Sequence, residues 1–218
     1  MREEIIQAIR SSRVIAIVRG VRRADVLPLA DALYAGGIRL MEVTYAHTEQ
    51  DSYDETDASI AALSKAFAGR VFIGAGTVIN GETLARAARA GAQFIVSPDT
   101  NAALIRRTRE MGLVSIPGAM TPTEILTAYN AGADFVKVFP AGDLGVTYFK
   151  SVRAPLTHVP MLVVGGITPE NIASFLDAGA LGAGISSYLV NKPAIARGDF
   201  DQIARAAKQL TDAIQTRS

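Results

Sequence analysis

Short apolar runs alternate with amphipathic stretches along the whole chain. The first run, Val14-Ile-Ala-Ile-Val-Arg19, is β-branched and ends on an arginine that shares a face with Ile15 and Ile17. Further runs span Ile38 to Thr44, Val71 to Thr77, Phe94 to Ser97, Val114 to Pro117, Phe135 to Phe139, Met161 to Val164 and Gly182 to Ser186. Each is near-continuously apolar, as a parallel strand covered on both faces reads. The stretches between them carry helical patterning. They run from about Glu3 to Arg10, from near Asp25 to Gly36-Gly37, and from about Asp57 to Phe67, Glu82 to Ala90 and Asn101 to Met111. Others span Thr121 to Ala131, Thr147 to Arg153, Pro169 to Ala178 and Phe200 to Gln215. Three helices end alike, at Ala90-Gly91-Ala92, Ala131-Gly132-Ala133 and Ala178-Gly179-Ala180, because glycine accepts the left-handed turn that stops a helix. Thr121-Pro122 suits a first turn, and Glu124 completes capping-box spacing. Eight strand–helix units without a linker-like break, across residues 1–218, predict a single-domain α/β fold: a (β/α)8 TIM barrel with an extra N-terminal helix. A doubly wound open sheet shares this alternation, and counting units does not separate the two.

One strand carries an unusual residue. Within Phe135-Val-Lys-Val-Phe139, alternation puts Lys137 on a face with Phe135 and Phe139. Burial pushes a lysine toward its neutral, nucleophilic form, so Lys137 is a candidate Schiff-base former. A snorkelling strand-end lysine or a structural ion pair fits these residues equally. Glu42, inside Leu40-Met-Glu-Val-Thr44, is a second charged group in an apolar strand. Opposite Lys137 it could move protons during imine chemistry; the competing reading is a Glu42–Lys137 salt bridge that only plugs the barrel.

In a barrel, polar residues at the carboxyl ends of strands mark the active site. Here they are Arg19, Glu42 with Thr44, Thr77, Ser97, Lys137, and the pairs Gly165-Gly166 and Ser186-Ser187. The glycine-bearing turns after the seventh and eighth strands stand where barrels often hold phosphate. Gly74-Ala-Gly-Thr77 lacks the remaining spacing of a dinucleotide fingerprint and has no Walker lysine. Its glycines read as close backbone packing. Thr77 aligns with Ile73 and Ala75 and is assigned to the barrel mouth. The segment Tyr45 to Thr56, with His47, Glu49, Asp51, Asp54 and Glu55, reads as a solvated loop or, because it follows the Glu42 strand, as a substrate-sorting flap.

Composition narrows the function classes. Twenty-two basic and 21 acidic residues leave a formal charge of +1, which argues against nucleic acid or an anionic membrane as partner. No apolar run is long enough to span a bilayer. The absence of cysteine excludes disulfides and thiolate chemistry and fits a cytoplasmic protein; with only two histidines, little remains from which to build a metal site. The acidic, amphipathic N-terminus is unlike a secretory signal.

Together these residues resemble the 2-keto-3-deoxy-6-phosphogluconate (KDPG) aldolase family, with its 6-phosphogalactonate (KDPGal) and 4-hydroxy-2-oxoglutarate aldolases. The similarity runs through VIAIVRG, GGIRLMEVT, IGAGTV, FIVSP, IPGAMTPTE, GADFVKVFPA, VGGITPENI and GAGISSYL. The resemblance implies a homotrimeric class I aldolase without a cofactor, cleaving a 2-keto-3-deoxy sugar acid to pyruvate and an aldehyde such as glyceraldehyde 3-phosphate. It makes Lys137 the imine-forming lysine and Glu42 the acid/base. Thr77 and Pro98 would line the pyruvyl pocket, Phe139 would pack beside the lysine, and Gly165, Gly166 and Ser187 would hold the phosphate. Three departures stand at the substrate mouth. Ala46 occupies the position of a carboxylate-gripping arginine, which Arg19 could replace. The segment after Glu42 is several residues longer than usual, and Ser186 stands where the family has glycine. Two other classes remain: a phosphate-binding barrel such as an isomerase or a thiamine-phosphate-synthase-like transferase, and a non-catalytic sugar-phosphate sensor.

Overall fold

A computed structural model of the chain describes residues 1–47 and 51–215. The apolar runs become parallel strands: β1 Val14–Val18, β2 Leu40–Thr44, β3 Phe72–Gly76, β4 Phe94–Val96, β5 Val114–Ile116, β6 Gly118–Ala119, β7 Val136–Val138, β8 Met161–Val164 and β9 Gly182–Ile185. They form one sheet in the order β5-β4-β3-β2-β1-β9-β8-β7-β6. β5 and β6 at its two edges are consecutive in the chain, separated only by Pro117, which has no N–H to give a ladder. The Lys137 and Phe139 amides donate to the Pro117 and Ala119 carbonyls at 2.8 and 3.0 Å. The sheet therefore curls into a nearly closed TIM-type barrel, and the fifth barrel strand is split in two. The open-sheet alternative is excluded by that curl.

Two apolar layers follow from strand alternation. Ile15, Leu40, Phe94, Val96, Val114, Ile116, Phe135 and Leu162 fill the barrel interior, and Ile5 and Ile9 of α1 (Arg2–Ser12) plug its lower end. Alternate residues, such as Val136 and Val138, point outward into the layer beneath the helices. These are α2 Arg23–Ala35, α3 Asp51–Ala66, α4 Gly81–Ala90, α5 Ala102–Glu110, α6 Pro122–Asn130, α7 Ala141–Arg153, α8 Pro169–Asp177, α9 Lys192–Ala196 and α10 Phe200–Gln215. Gly91 takes the left-handed turn expected of it, with φ 97°, and Thr121 and Glu124 form their capping box.

Three boundaries differ from the sequence expectation. α3 begins at Asp51, so the segment Tyr45 to Thr56 is helical over its second half. Thr56, Ser59, Ile60, Leu63 and Phe67 are buried along one side, a helical stripe that the acids of the first turn conceal; those acids also suit a helix N-terminus. Glu49 lies outside the described residues. α7 begins at Ala141, before Thr147, because a short helical turn precedes the expected helix; Gly145 (φ 80°, ψ 163°) is non-helical and separates the two pieces. α9 is a short helix that the apolar patterning does not announce; Asn191 caps it by accepting from the Ala194 amide.

Candidate active site

The interior face of the barrel is apolar at the bottom and polar at the top. Along β7 the inward positions are Phe135, fully buried; Lys137, 6% exposed; and, past the strand, Phe139, 37% exposed. Along β2 they are Leu40 and Glu42, the latter 2% exposed. Glu42 stands level with Ile17 of β1 and Gly74 of β3. Arg19 continues the Ile15–Ile17 face beyond the end of β1.

Above this layer is a cavity of about 380 Å³. Arg19, Glu42, Thr77, Pro98, Lys137, Phe139, Gly165, Gly166 and Ser187 all line it, so the structure brings these nine candidates into one cavity, without Thr44 and Ser97. Ser186 lines it too, and its hydroxyl donates to the Ile17 carbonyl at 3.1 Å. Thr44 and Ala46 do not reach it. They line a separate cavity of about 210 Å³ beside α3. The Ser97 hydroxyl is committed to the Val78 carbonyl at 2.6 Å. Gly184, from the glycine-bearing turn of the last strand, completes the cavity wall with Ile17, Val164 and Ile167, which were not named from the sequence as site residues. Ile17 could have been found two residues before Arg19 on one face; Ile167 sits in a turn where periodicity gives no signal.

The electrostatics of the pair are set by burial. Desolvation lowers the Lys137 amine from its ordinary value, the nearby Arg19 cation lowers it further, and the Glu42 charge opposes both. Desolvation raises the Glu42 carboxyl, against the pull of Lys137 and Arg19. Both shifts favour the uncharged forms. Among the described residues no ion pair within 4.0 Å joins Glu42 to Lys137, which disfavours the plug reading. The Lys137 amine lies 4.8 Å from the centre of the Phe139 ring, an apolar wall that keeps water from the nitrogen on that side.

Glycines shape the cavity. A methyl group at Gly76 would lie 1.7 Å from Glu42 Oε1, so Gly76 is the space that the carboxyl occupies. A methyl at Gly74 would meet the Phe94 ring at 2.3 Å. The close-packing reading of these glycines holds, with one of the two serving Glu42. On the opposite side, Gly165 (φ 88°) and Gly166 (φ 67°) are both left-handed. Asn171 donates to the Gly166 carbonyl at 2.8 Å and shares a capping box with Thr168 at the start of α8. The turn thus presents backbone beside a helix N-terminus, an arrangement suited to an anion.

Thr77 reaches the mouth for a reason other than alternation. Ile73 and Ala75 face outward into the helix layer, and strict alternation would send Thr77 after them. Its backbone instead turns left-handed at φ 55°, which swings the side chain over the cavity. There its hydroxyl accepts from the Arg19 guanidinium at 3.2 Å. The His47 ring donates to the Thr77 carbonyl at 2.7 Å.

The comparisons agree with this arrangement. The family model described as KDPG and KHG aldolase matches residues 5–206. A 2-dehydro-3-deoxy-6-phosphogalactonate aldolase of Escherichia coli is 34% identical over 203 residues, covering 93% of this chain and 96% of the relative. A 2-dehydro-3-deoxy-phosphogluconate aldolase of Treponema pallidum is 38% identical over 206 residues, covering 94% and 95%. Among solved structures, a KDPG aldolase from Legionella pneumophila superposes with a TM-score of 0.83 at 27% identity, covering 94% of this chain and 97% of that one; it holds pyruvate as a covalent carbinolamine intermediate. With a barrel whose inward lysine and glutamate line one cavity beside a glycine turn, and a family model spanning residues 5–206, the chain belongs to the KDPG and KHG aldolase family.

Proposed function

We propose that this protein is a class I aldolase. It cleaves a 2-keto-3-deoxy sugar acid phosphorylated at C6, KDPG or its C4 epimer KDPGal, to pyruvate and glyceraldehyde 3-phosphate. The observation that carries the reading is the buried, neutral-leaning Lys137 amine facing the Glu42 carboxyl in one cavity.

The neutral Lys137 amine attacks the C2 ketone and forms a carbinolamine. Glu42, whose burial favours its protonated form, gives its proton to the departing hydroxyl, and water leaves an iminium. The iminium draws electrons from the C3–C4 bond. The Glu42 carboxylate, directly or through one water, removes the C4 hydroxyl proton; the bond breaks and the aldehyde leaves. The resulting enamine takes a proton at C3, and water hydrolyses the imine to release pyruvate and free Lys137. The iminium is the electron sink, so the step requires no cofactor.

The remaining cavity residues divide by place. Arg19 and Thr77 meet the pyruvyl carboxylate, Arg19 taking the role that Ala46 cannot. Pro98 and Phe139 form the apolar walls of the pyruvyl pocket. Gly165, Gly166 and Ser187 hold the phosphate at the start of α8. We read residues 1–218 as one domain acting as a homotrimer in the cytoplasm. No described helix is long and apolar enough to cross a membrane. The direct test is pyruvate release from KDPG and KDPGal, followed with lactate dehydrogenase, alongside molar mass by light scattering. Turnover of one epimer and a mass near three times 23.0 kDa support the reading. Binding of both sugar acids without pyruvate release would favour the sensor class instead.

A further inference from the structure

We propose that His47 is a positioning residue for the pyruvyl pocket: its ring holds the Thr77 backbone in the left-handed turn that aims the Thr77 hydroxyl at Arg19 and the cavity. The inference rests on the reading above, in which Thr77 and Arg19 receive the pyruvyl carboxylate.

A β-branched residue at φ 55° is strained, and such conformations persist only where the surroundings hold them. The chain on either side of Thr77 is tied to its neighbours. The Tyr45 amide donates to the Gly76 carbonyl at 2.9 Å, and the Val78 amide donates to the Val96 carbonyl at 3.2 Å. Thr77 itself has two holds: Arg19 on its hydroxyl and His47 on its carbonyl. A carbonyl only accepts, so His47 Nε2 carries the hydrogen. In the neutral ring Nδ1 then accepts from the Tyr53 hydroxyl, 2.7 Å away.

The ring is mounted from behind. His47 and Tyr53 meet edge to face with centroids 5.5 Å apart, and Tyr53 meets Tyr45 in the same way at 5.5 Å. The Arg86 guanidinium of α4 lies 5.8 Å from the Tyr53 ring centre and pairs with Asp54 and with Asp57 of α3 at 2.8 Å. Two helices thus fix one aromatic ring, that ring orients the imidazole, and the imidazole pins one peptide at the pocket. The segment after Glu42 acts on the pocket through the Thr77 main chain, which is a different role from a flap that covers substrate.

The test uses the part-reaction that needs only imine and enamine, solvent deuterium incorporation into the pyruvate methyl group, followed by NMR against pyruvate concentration. Wild-type protein, His47→Ala and His47→Gln are compared. His47→Ala is expected to raise the half-saturating pyruvate concentration roughly tenfold while the saturated rate changes less than about threefold, from one hydrogen bond and the strain it sustains. His47→Gln, whose amide nitrogen can occupy the place of Nε2, is expected to return to within about threefold of wild type. A His47→Ala curve that overlays wild type overturns the inference. So does an equal loss in both variants that tracks a drop in Tm, because that marks a purely structural histidine. A wild-type protein that incorporates no deuterium overturns the aldolase reading itself, and the inference falls with it.

Discussion

Replacing Gly76 with alanine should disable the enzyme through a residue that takes no part in the chemistry. The added methyl group would stand 1.7 Å from Glu42 Oε1, 2.4 Å from its carboxyl carbon and 2.7 Å from Cγ, where real contacts stay beyond 3.0 Å. Glu42 is 2% exposed and stands in a strand paired on both sides, so its carboxyl has to retreat by about 1 Å within a packed interior. A displacement of that size at a catalytic group costs on the order of a hundredfold in rate, roughly 2.7 kcal/mol of transition-state stabilisation. Overpacking should also cost about 1–3 kcal/mol of stability, or a fall in Tm of very roughly 2–4 °C per kcal/mol. The control is Gly74→Ala, whose methyl would meet the Phe94 ring at 2.3 Å. It overpacks the same strand away from the Glu42 carboxyl and should lose stability while keeping most of its activity per folded molecule. The assay is kcat/KM for pyruvate release from the preferred sugar acid, normalised to folded protein, in a double-mutant cycle with Glu42→Gln. If Gly76 acts through Glu42, Gly76→Ala adds little once the carboxylate is gone. Near-wild-type activity in Gly76→Ala, or losses that simply add in the cycle, would refute the reasoning.

Two further predictions concern the basic side chains of the cavity. Lys137→Met should abolish turnover yet stabilise the fold by about 1 kcal/mol, since a desolvated amine is exchanged for an apolar side chain of similar length. The sign with pH follows from the lowered Lys137 amine: the native state gives up that proton more readily than the unfolded chain, so wild-type stability rises with pH across the window between the lowered native value and the ordinary amine value. The advantage of Lys137→Met should therefore be largest at neutral and acid pH and shrink toward alkaline pH in calorimetric scans; an advantage that grows with pH would show that the amine is not desolvated. Arg19→Lys keeps the charge but loses the planar fork that can bond a carboxylate and Thr77 together, and should raise the half-saturating pyruvate concentration roughly tenfold. An unchanged value would remove Arg19 from the pyruvyl pocket.

Much of the fold and of the candidate site was legible because both rest on simple periodicities. Alternation showed which residues share a face with Arg19 and with Lys137, and the strand-end positions grouped both with Glu42 at the barrel mouth; strands apolar on both faces do not reveal which face is interior, and the structure supplies that. The glycines after β8 and the Ser186-Ser187 pair after β9 stand at barrel positions suited to an anion. What was not legible came from contacts distant in sequence or from local polar chemistry. Gly76 reads as one glycine of an ordinary pair until the Glu42 carboxyl is seen occupying its missing side chain. Thr77 breaks its own strand's alternation through a left-handed turn that no periodicity encodes. The acids of residues 51 to 57 look like a solvated loop because a first helical turn tolerates them, while the stripe that buries α3 runs through Thr56, Ser59, Ile60 and Leu63. His47, placed with that loop, makes its decisive contact thirty residues away.

The central claim is that Lys137 forms an imine with pyruvate, and borohydride trapping tests it most directly. The protein is incubated with pyruvate and sodium borohydride, then read by intact and peptide mass spectrometry beside a proven class I aldolase. The account predicts one reduced pyruvyl adduct per chain, on the peptide that contains Lys137 and absent from Lys137→Met. A folded protein that yields no adduct, or one carried by another lysine, would contradict the assignment of Lys137 and with it the aldolase mechanism.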